Sequence, residues 1–186
     1  MKIIVSPLTT DNWKDFEKLF GPRGACAGCW CMYWRLPKKT WKENQGAGNK
    51  KKIKHLAGKG IFTGLLAYVD GEPAGWCSLG PREDFPVLEK SKTLGRVDAL
   101  PVWSIVCFFI HKDYRKKGVS EMILGKVVDF ARKKKIKILE GYPVVPNKEN
   151  YPDTFAYTGF YNSFVRAGFK EAIRRSPTRP VMRYTL

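Results

Sequence analysis

Residues 111–120 form the stretch of the chain best suited to chemistry, reading His-Lys-Asp-Tyr-Arg-Lys-Lys-Gly-Val-Ser. An apolar segment precedes it and an amphipathic helical pattern follows it, which predicts a basic turn that opens a helix. The first amides of a helix have no intrahelical acceptors and lie at the positive end of its dipole. Such a turn can bind phosphate through these amides and through Arg115, Lys116 and Lys117, with Gly118 allowing close approach. A solvated basic turn without a ligand is the alternative.

Two short motifs resemble those of the GNAT family of acetyl-CoA-dependent N-acetyltransferases. The family's pyrophosphate loop reads Gln or Arg, two residues, Gly, one residue, then Gly or Ala. Arg115, Gly118 and Ser120 occupy those places, although Ser120 departs from the family's Gly or Ala. Near the end of the chain, residues 164–169 are similar to the family's Tyr-x-x-x-Gly-Phe motif, with Phe164 in the place of the tyrosine.

The resemblance implies that the chain binds acetyl-CoA as a cosubstrate. In this family two central strands part and the pantetheine arm lies between them; here these strands would be Trp103–Ile110 and residues 136–142. Backbone amides in the first strand would hold the arm and polarise the thioester carbonyl. The residues assigned to the cofactor are Cys107, Phe108, Phe109, Ile110, Arg115, Lys116, Lys117, Gly118, Val119, Ser120 and Thr158.

The proton donor of the family is missing at its usual position. The family's tyrosine protonates the departing thiolate, and Phe164 has no hydroxyl to do so. Tyr161, one helical turn earlier, is the hypothesised donor; a packed ring with its hydroxyl at the surface is the alternative. A thiol with a pKa near ~8.5 can also leave unaided. Thr158 stands where the last helix is predicted to begin, which favours an N-cap over a cofactor contact.

The resemblance places the acceptor amine beside the loop between the first two helices. Trp30 and Trp34 in this loop are predicted to line the acceptor pocket, with an aromatic cluster packed on the core as an equal alternative. Glu83, like Asp84 beside it in the same long loop, is a candidate base or anchor for a cationic acceptor. Surface carboxylates are commonly solvated, and that is its alternative.

The cysteines predict neither a metal site nor a disulfide framework. Cys26, Cys29 and Cys31 form a compact pattern, but a structural zinc site needs four ligands. Neither His55 nor His111 lies at a suitable spacing from them, so no metal is predicted. Five cysteines, an odd number, favour reduced thiols.

The composition is that of a basic globular chain. With 186 residues and 44% hydrophobic residues, it predicts a single domain spanning residues 1–186. Lysine and arginine number 34 against 17 acidic residues, and this net charge of +17 indicates an anionic partner. No apolar stretch reaches the ~20 residues of a membrane helix, and no signal-peptide pattern follows Met1. We therefore expect a cytoplasmic protein that does not enter a membrane.

The periodicity along the chain predicts a mixed α/β fold. Asp70-Gly71 marks a hairpin between two strands, Trp103–Ile110 is a buried central strand, and residues 119–134 form the clearest helix. The remaining predictions are a first strand near Ile3, a helix over 11–20, a helix opened by a Thr40/Glu43 capping box and broken by Gly46 and Gly48, a helical restart over 49–56, a long loop over 80–101, a strand over 136–142, a helix over 159–167 and an edge strand over 181–184. Together with the resemblance, this order predicts a GNAT-like, mostly antiparallel sheet of about six to seven strands flanked by about four helices.

The function that the resemblance implies is that of an acyltransferase. It would move acetyl from acetyl-CoA to a primary amine of a small molecule or protein by direct transfer in a ternary complex. A basic surface would also suit an acceptor that is associated with nucleic acid. The alternative is a nucleic-acid-binding domain without catalytic activity, favoured by the net charge and by the run Lys50, Lys51 and Lys52. The acceptor and the oligomeric state, including a homodimer, stay open.

Overall fold

The computed structural model describes residues 2–147, 151–152 and 155–186. Its strands are β1 (Ile3–Pro7), β2 (Gly64–Val69), β3 (Glu72–Pro81), β4 (Trp103–Ile110), β5 (Ile138–Gly141), β6 (Lys170–Arg174) and β7 (Pro180–Thr185). They form one seven-stranded sheet in the order β1-β2-β3-β4-β5-β7-β6. Neighbours are antiparallel except β4 and β5, which are parallel. The mixed, mostly antiparallel architecture is therefore confirmed.

Six α-helices flank this sheet within the described residues. They are α1 (Trp13–Phe20), α2 (Lys38–Glu43), α3 (Ala47–Gly58), α4 (Pro86–Glu89), α5 (Val119–Lys133) and α6 (Tyr161–Arg166). The helix without a counterpart in the sequence prediction is α4, which has only four residues and is too short to show an amphipathic period. One apolar cluster joins α1 and α3 to one face of the sheet, and another joins α5 and α6 to the opposite face. None of the described helices has the length and apolarity needed to cross a bilayer.

The hairpin and the central strand are confirmed. Asp70 and Gly71 have φ angles of 50° and 89° and connect β2 to β3 in a tight turn. The β4 strand is fourth of seven in the sheet, with apolar clusters on both faces. A continuous apolar run marks a strand that is covered on both sides, which is why the sequence predicted it correctly.

Two predictions about α2 and α3 are wrong: the cap at Thr40 and the helix break at Gly48. Thr40 does not cap a helix: α2 begins at Lys38 after Pro37, with no side-chain capping hydrogen bond. Proline fixes φ near the helical value at a position where no amide donor is needed, so the helix begins earlier than the Thr40/Glu43 spacing suggested. Gly46 does separate α2 from α3, with φ of 80°, whereas Gly48 lies inside α3.

The predicted edge strand at residues 181–184 is also misplaced. It belongs to β7, which lies between β5 and β6, so β6 forms the edge instead. The sequence of β6 is Lys-Glu-Ala-Ile-Arg, and four of its five residues are exposed. A short polar edge strand lacks the apolar alternation by which strands are recognised, which explains why it was missed.

The long loop predicted over 80–101 begins later, since β3 continues to Pro81, and a buried arginine holds residues 82–101 against the sheet. This segment contains a 3₁₀ turn, Arg82–Asp84, followed by α4. Arg82 is 1% exposed and donates to the Glu140 carboxylate at 2.9 Å and to the Tyr142 hydroxyl at 2.7 Å. It also donates to Glu89 and to the carbonyl of Leu94, both at 2.8 Å. These bonds hold the segment against the end of β5.

Candidate functional site

The candidate site lies where two neighbouring strands separate. β4 pairs with β5 over only three residue pairs, from Trp103–Leu139 to Ile105–Gly141. Beyond Ile105, β4 continues to Ile110 without β5, which leaves a gap in the sheet. The pairing of β3 with β4 shifts register at the same level, so that Val106 forms a bulge. Bulges re-aim a strand and are frequent beside active sites.

One side of this gap offers backbone amides along β4. Alternate amides of an extended strand point to the same edge, so those of Phe108 and Ile110 face the gap while those of Cys107 and Phe109 face β3. The Phe108 N–H donates to the carbonyl of Tyr157 at 2.5 Å. A ligand that uses the Phe108 amide must therefore replace this carbonyl.

The basic turn after β4 has the backbone expected of an anion site. A 3₁₀ turn, Lys112–Tyr114, leads to Lys116 and Gly118, which both have left-handed φ angles of 58° and 73°. Gly118 is the N-cap of α5, so the helix begins at Val119 and its first amides point towards the turn. A Cβ atom on Gly118 would meet nothing within 4 Å, so the space beside this residue is open.

The charged side chains of the turn add a positive field. Arg115, Lys116 and Lys117 are exposed, and the Arg115 Nε donates to the carbonyl of Ile110 at 3.0 Å. This bond ties the turn to the last residue of β4. The amides and charges together suit a phosphate or pyrophosphate group.

Phe164 is a core residue beside the end of β5, where the gap between β4 and β5 begins. It is fully buried, and its ring meets Phe108 and Phe169 edge to face at 6.1 Å and 5.0 Å between centroids. A Cβ atom on Gly141 would lie 2.1 Å from this ring. The ring therefore fills the space beside the last residue of β5.

Two tyrosines lie near this gap at different places. Tyr161 begins α6, packs against the core on the α5 side and has the Arg174 guanidinium 5.3 Å from its ring centre. Tyr157, besides accepting the Phe108 amide, has its ring 6.4 Å from that of Trp34. Burial raises the pKa of Tyr157 above its usual value, so its hydroxyl keeps its proton at neutral pH. Sequence reasoning missed Tyr157 because it lies in a segment without periodicity.

Thr158 is not the N-cap predicted from sequence. Phe160 precedes α6 and makes no side-chain capping bond, while the buried Thr158 hydroxyl accepts from Arg179 Nη1 at 2.9 Å. The helix begins later than expected because residues 156–159 form a turn, closed by the Gly159 amide donating to the Ala156 carbonyl at 2.8 Å, and Phe160 then bridges to Val144. Gly159 has a φ of 89° and lies close to the rings of Phe108 and Phe164, which only a glycine permits.

The two predicted pocket tryptophans lie in different surroundings. Trp30 is buried among Trp13, Phe16 and Phe20, and its ring lies under the Lys50 ammonium at 5.2 Å. It corresponds to the alternative of an aromatic cluster on the core. Trp34 instead belongs to the cluster that contains Val106, Tyr142 and Tyr157, and is therefore beside the gap.

The two acidic candidates already have arginine partners. Glu83 pairs with Arg96 at 3.0 Å, and this bond lowers the pKa of Glu83, whose side chain is 61% exposed. Asp84 pairs at 3.2 Å with Arg35, whose side chain is 6% exposed. Asp84 thus fixes the loop before α2 to the segment after β3. Within the described ranges, no group of three or more His, Cys, Asp or Glu residues could hold a metal ion.

The sequence and the fold were compared with those of known proteins. The family model described as the acetyltransferase (GNAT) family matches residues 28–151. No protein with a curated function matches the sequence. The family match gives no support to the alternative of a non-catalytic nucleic-acid-binding domain.

Solved structures of similar fold share little sequence with this chain. An acetyltransferase of the GNAT family from Listeria monocytogenes gives a TM-score of 0.60 at 10% identity, covering 99% of this chain and 95% of that one. The PaiA N-acetyltransferase from Thermoplasma acidophilum, in complex with coenzyme A, gives 0.55 at 12% identity with all of both chains covered. The aminoglycoside acetyltransferase AAC(6′)-Ib, also with coenzyme A, gives 0.52 at 12% identity over 99% and 95%. At these identities the likeness establishes the fold.

The position of Phe164 can be tested through the glycine that it packs against. Gly141→Ala should lower the free energy of unfolding by about 1–3 kcal/mol, since the added methyl group overlaps the ring. The matched control is Gly125→Ala on the exposed face of α5, where a Cβ meets nothing; it should raise stability by about 0.5–1 kcal/mol. Urea unfolding measures both. A Gly141→Ala protein as stable as the wild type would contradict this packing.

Proposed function

The chain belongs to the acetyltransferase (GNAT) family, and from that premise we propose that it transfers acetyl from acetyl-CoA to a primary amine within a ternary complex. The observation that carries the proposal is the gap between β4 and β5, which lies directly before the basic turn at the start of α5. One ligand with an anionic group and an extended polar arm would use both features. Coenzyme A is such a ligand.

The pyrophosphate of the cosubstrate would bind at the turn over residues 115–120. The amides of Val119 and Ser120 belong to the first turn of α5, and Lys116 and Lys117 are exposed beside them. Anions are stabilised at such a position by both the helix dipole and the amide donors. The open space at Gly118 supports close approach of the ligand to the backbone.

The pantetheine arm would follow the free edge of β4. We propose that the Phe108 and Ile110 amides bond to the arm and to the thioester carbonyl, which requires the Tyr157 carbonyl to leave the Phe108 amide. Cys107 and Phe109 would then contribute through their side chains. Thr158, which is buried next to Tyr157, would contact the cofactor only after a similar shift.

Acetyl transfer has three chemical requirements: a neutral amine, stabilisation of the charge on the carbonyl oxygen, and departure of the sulfur. An acceptor with a lysine-like pKa of ~10.4 must lose a proton before its nitrogen can attack. The negative charge that develops on the carbonyl oxygen must be stabilised, and a fixed β4 amide can do this. The departing sulfur must take up a proton or leave as a thiolate. In this proposal Trp34 forms part of the acceptor side, whereas Trp30 supports the loop from within its aromatic cluster and Glu83 is held by Arg96.

The extent of the domain, its cellular location and its acceptor also belong to the proposal. We propose that residues 1–186 act as one acetyltransferase domain in the cytoplasm, which the five free thiols support. The acceptor would be a small amine or a protein amine. The net charge of +17 supports an acceptor associated with nucleic acid, and a homodimer remains compatible with this function.

The activity is tested by measuring amine-dependent release of the coenzyme A thiol from acetyl-CoA. The acceptor panel should include a polyamine, an aminoglycoside, free amino acids and a basic peptide alone and bound to RNA. We expect at least one of these to give saturable release with an acetylated product seen by mass spectrometry. Release no faster than hydrolysis with every amine, from a protein that binds acetyl-CoA, would contradict the transferase proposal.

Two tyrosine variants separate the candidate proton donors. Tyr161 is the donor expected from sequence, whereas Tyr157 is bound to β4 through its backbone carbonyl and has its ring beside Trp34 on the acceptor side. We expect Tyr157→Phe to lower kcat about 10²-fold, a typical effect of losing a general acid, and to leave KM for acetyl-CoA nearly unchanged. Tyr161→Phe is the matched control and should retain kcat. The reverse pattern would assign the role to Tyr161, and two unaffected variants would mean that the thiolate leaves unaided.

A further inference from the structure

Two cysteines that are far apart in sequence have their sulfur atoms in contact. The Sγ of Cys31 lies 3.5 Å from the Sγ of Cys107. Cys31 belongs to the segment between α1 and α2, and Cys107 lies on β4 beside the bulge. The contact therefore connects the loop on the acceptor side to the strand that borders the gap.

The surroundings hold the Cys31 sulfur in place. Trp76 Nε1 donates to it at 3.0 Å, and only 7% of Cys31 is exposed. The backbone at Trp30 and Cys31 is left-handed, with φ angles of 46° and 55°. Consecutive non-glycine residues in this conformation are strained, and such strain persists where the surrounding fold imposes it. The fold thus directs this thiol to Cys107 at an energetic cost.

The two thiols differ in access. Cys107 is half-buried whereas Cys31 is buried, so Cys107 is the residue of the pair that a small solute would meet first. Burial raises the pKa of the Cys31 thiol well above its usual value, which makes Cys107 the sulfur that reacts first. A more exposed thiol in contact with a second, buried thiol is the arrangement of a reactive cysteine and its resolving partner.

We propose that Cys31 and Cys107 form a redox-active dithiol that a peroxide converts into a disulfide. The Cys107 sulfur attacks one oxygen of hydrogen peroxide, the O–O bond breaks, and a sulfenic acid and water result. The Cys31 sulfur then loses its proton and attacks the Cys107 sulfur, the S–O bond breaks, and a second water leaves. Two thiols and one peroxide thus yield one disulfide and two waters. The sulfur atoms need only close from 3.5 Å to the ~2.05 Å of a disulfide.

The other cysteines provide internal comparisons. Cys77 is fully buried in the cluster on the α5 side of the sheet, away from the face that carries Cys31. Cys26 is exposed and lies three residues before Cys29, so these two form the competing pair. Burial raises the pKa of both Cys29 and Cys31, so the 3.5 Å contact between the sulfurs, and not thiolate content, is what favours the Cys31–Cys107 pair.

The disulfide would tie the loop before α2 to β4, next to the Phe108 amide. Any effect of this tie on acetyl transfer rests on the proposed function. Formation of the disulfide does not, because neither thiol needs a cosubstrate to react.

The test is to oxidise the fully reduced, full-length protein with hydrogen peroxide and to map disulfides by proteolysis and mass spectrometry. We expect a loss of two hydrogen atoms and a linked pair of peptides containing Cys31 and Cys107, reversed by dithiothreitol. Cys26→Ser is the matched control and should form the same link, whereas Cys31→Ser and Cys107→Ser should not. Serine at position 31 keeps an oxygen that can accept from Trp76. A link between Cys26 and Cys29, or no link in the wild type, would overturn the proposal.

A second measurement needs no variant and no oxidant. Phenylarsine oxide bridges two neighbouring thiols, so one equivalent added to the reduced wild type should protect Cys31 and Cys107 from later alkylation. Protection of Cys26 and Cys29 instead, or of no pair, would contradict the proposal. Neither measurement uses acetyl-CoA, so failure here and failure of the proposed transferase activity are separate results.

Discussion

The separation of β4 from β5 after three residue pairs is the constraint on which the candidate site depends. Three features impose it: the bulge at Val106, the end of β5 at Gly141 and the Phe164 ring packed against that glycine. Parallel strands that paired further would bury the β4 amides in a ladder and leave no edge for a ligand. The same separation carries β4 onward to the turn that opens α5, so one strand supplies both an amide edge and an approach to the helix N-terminus.

The buried charges beside β5 keep this separation in place. Glu140 is fully buried and is shared by Arg82 and Arg183, at 2.9 Å and 2.8 Å. The Tyr142 hydroxyl joins the same network through Arg82 and through Ser104 on β4, which fixes the first residue after β5 beside the paired part of β4. Buried ion pairs contribute little net stability, but leaving one partner alone is costly, so they select one arrangement over others. Here that arrangement is a β5 that stops at Gly141 and a segment 82–101 that covers its end.

Sequence patterns were sufficient to predict the elements that have a regular apolar pattern. They were insufficient for helix caps and for contacts between distant segments. The helix α5 was predicted correctly from its helical period, β4 from its continuous apolar run, and the hairpin from the turn chemistry of Asp70-Gly71. Thr40 and Thr158 were wrong as caps because local spacing could not reveal that Pro37 starts α2 or that Thr158 accepts from Arg179. At the site, the basic turn could be located from its residues alone. Tyr157 and the contact between Cys31 and Cys107 depend on tertiary packing across distant segments, for which the sequence has no periodic signal.

The central claim is that the gap beside β4 and the turn at Gly118 form one acetyl-CoA site, and calorimetric titration with acetyl-CoA tests it most directly. Gly118→Glu places bulk and negative charge at the turn, while Gly60→Glu makes the same change at another exposed glycine with positive φ and open space around it. The account predicts binding in the micromolar range by the wild type and by Gly60→Glu, and its loss in Gly118→Glu. No binding by the folded wild type, or equal binding by Gly118→Glu, would contradict it.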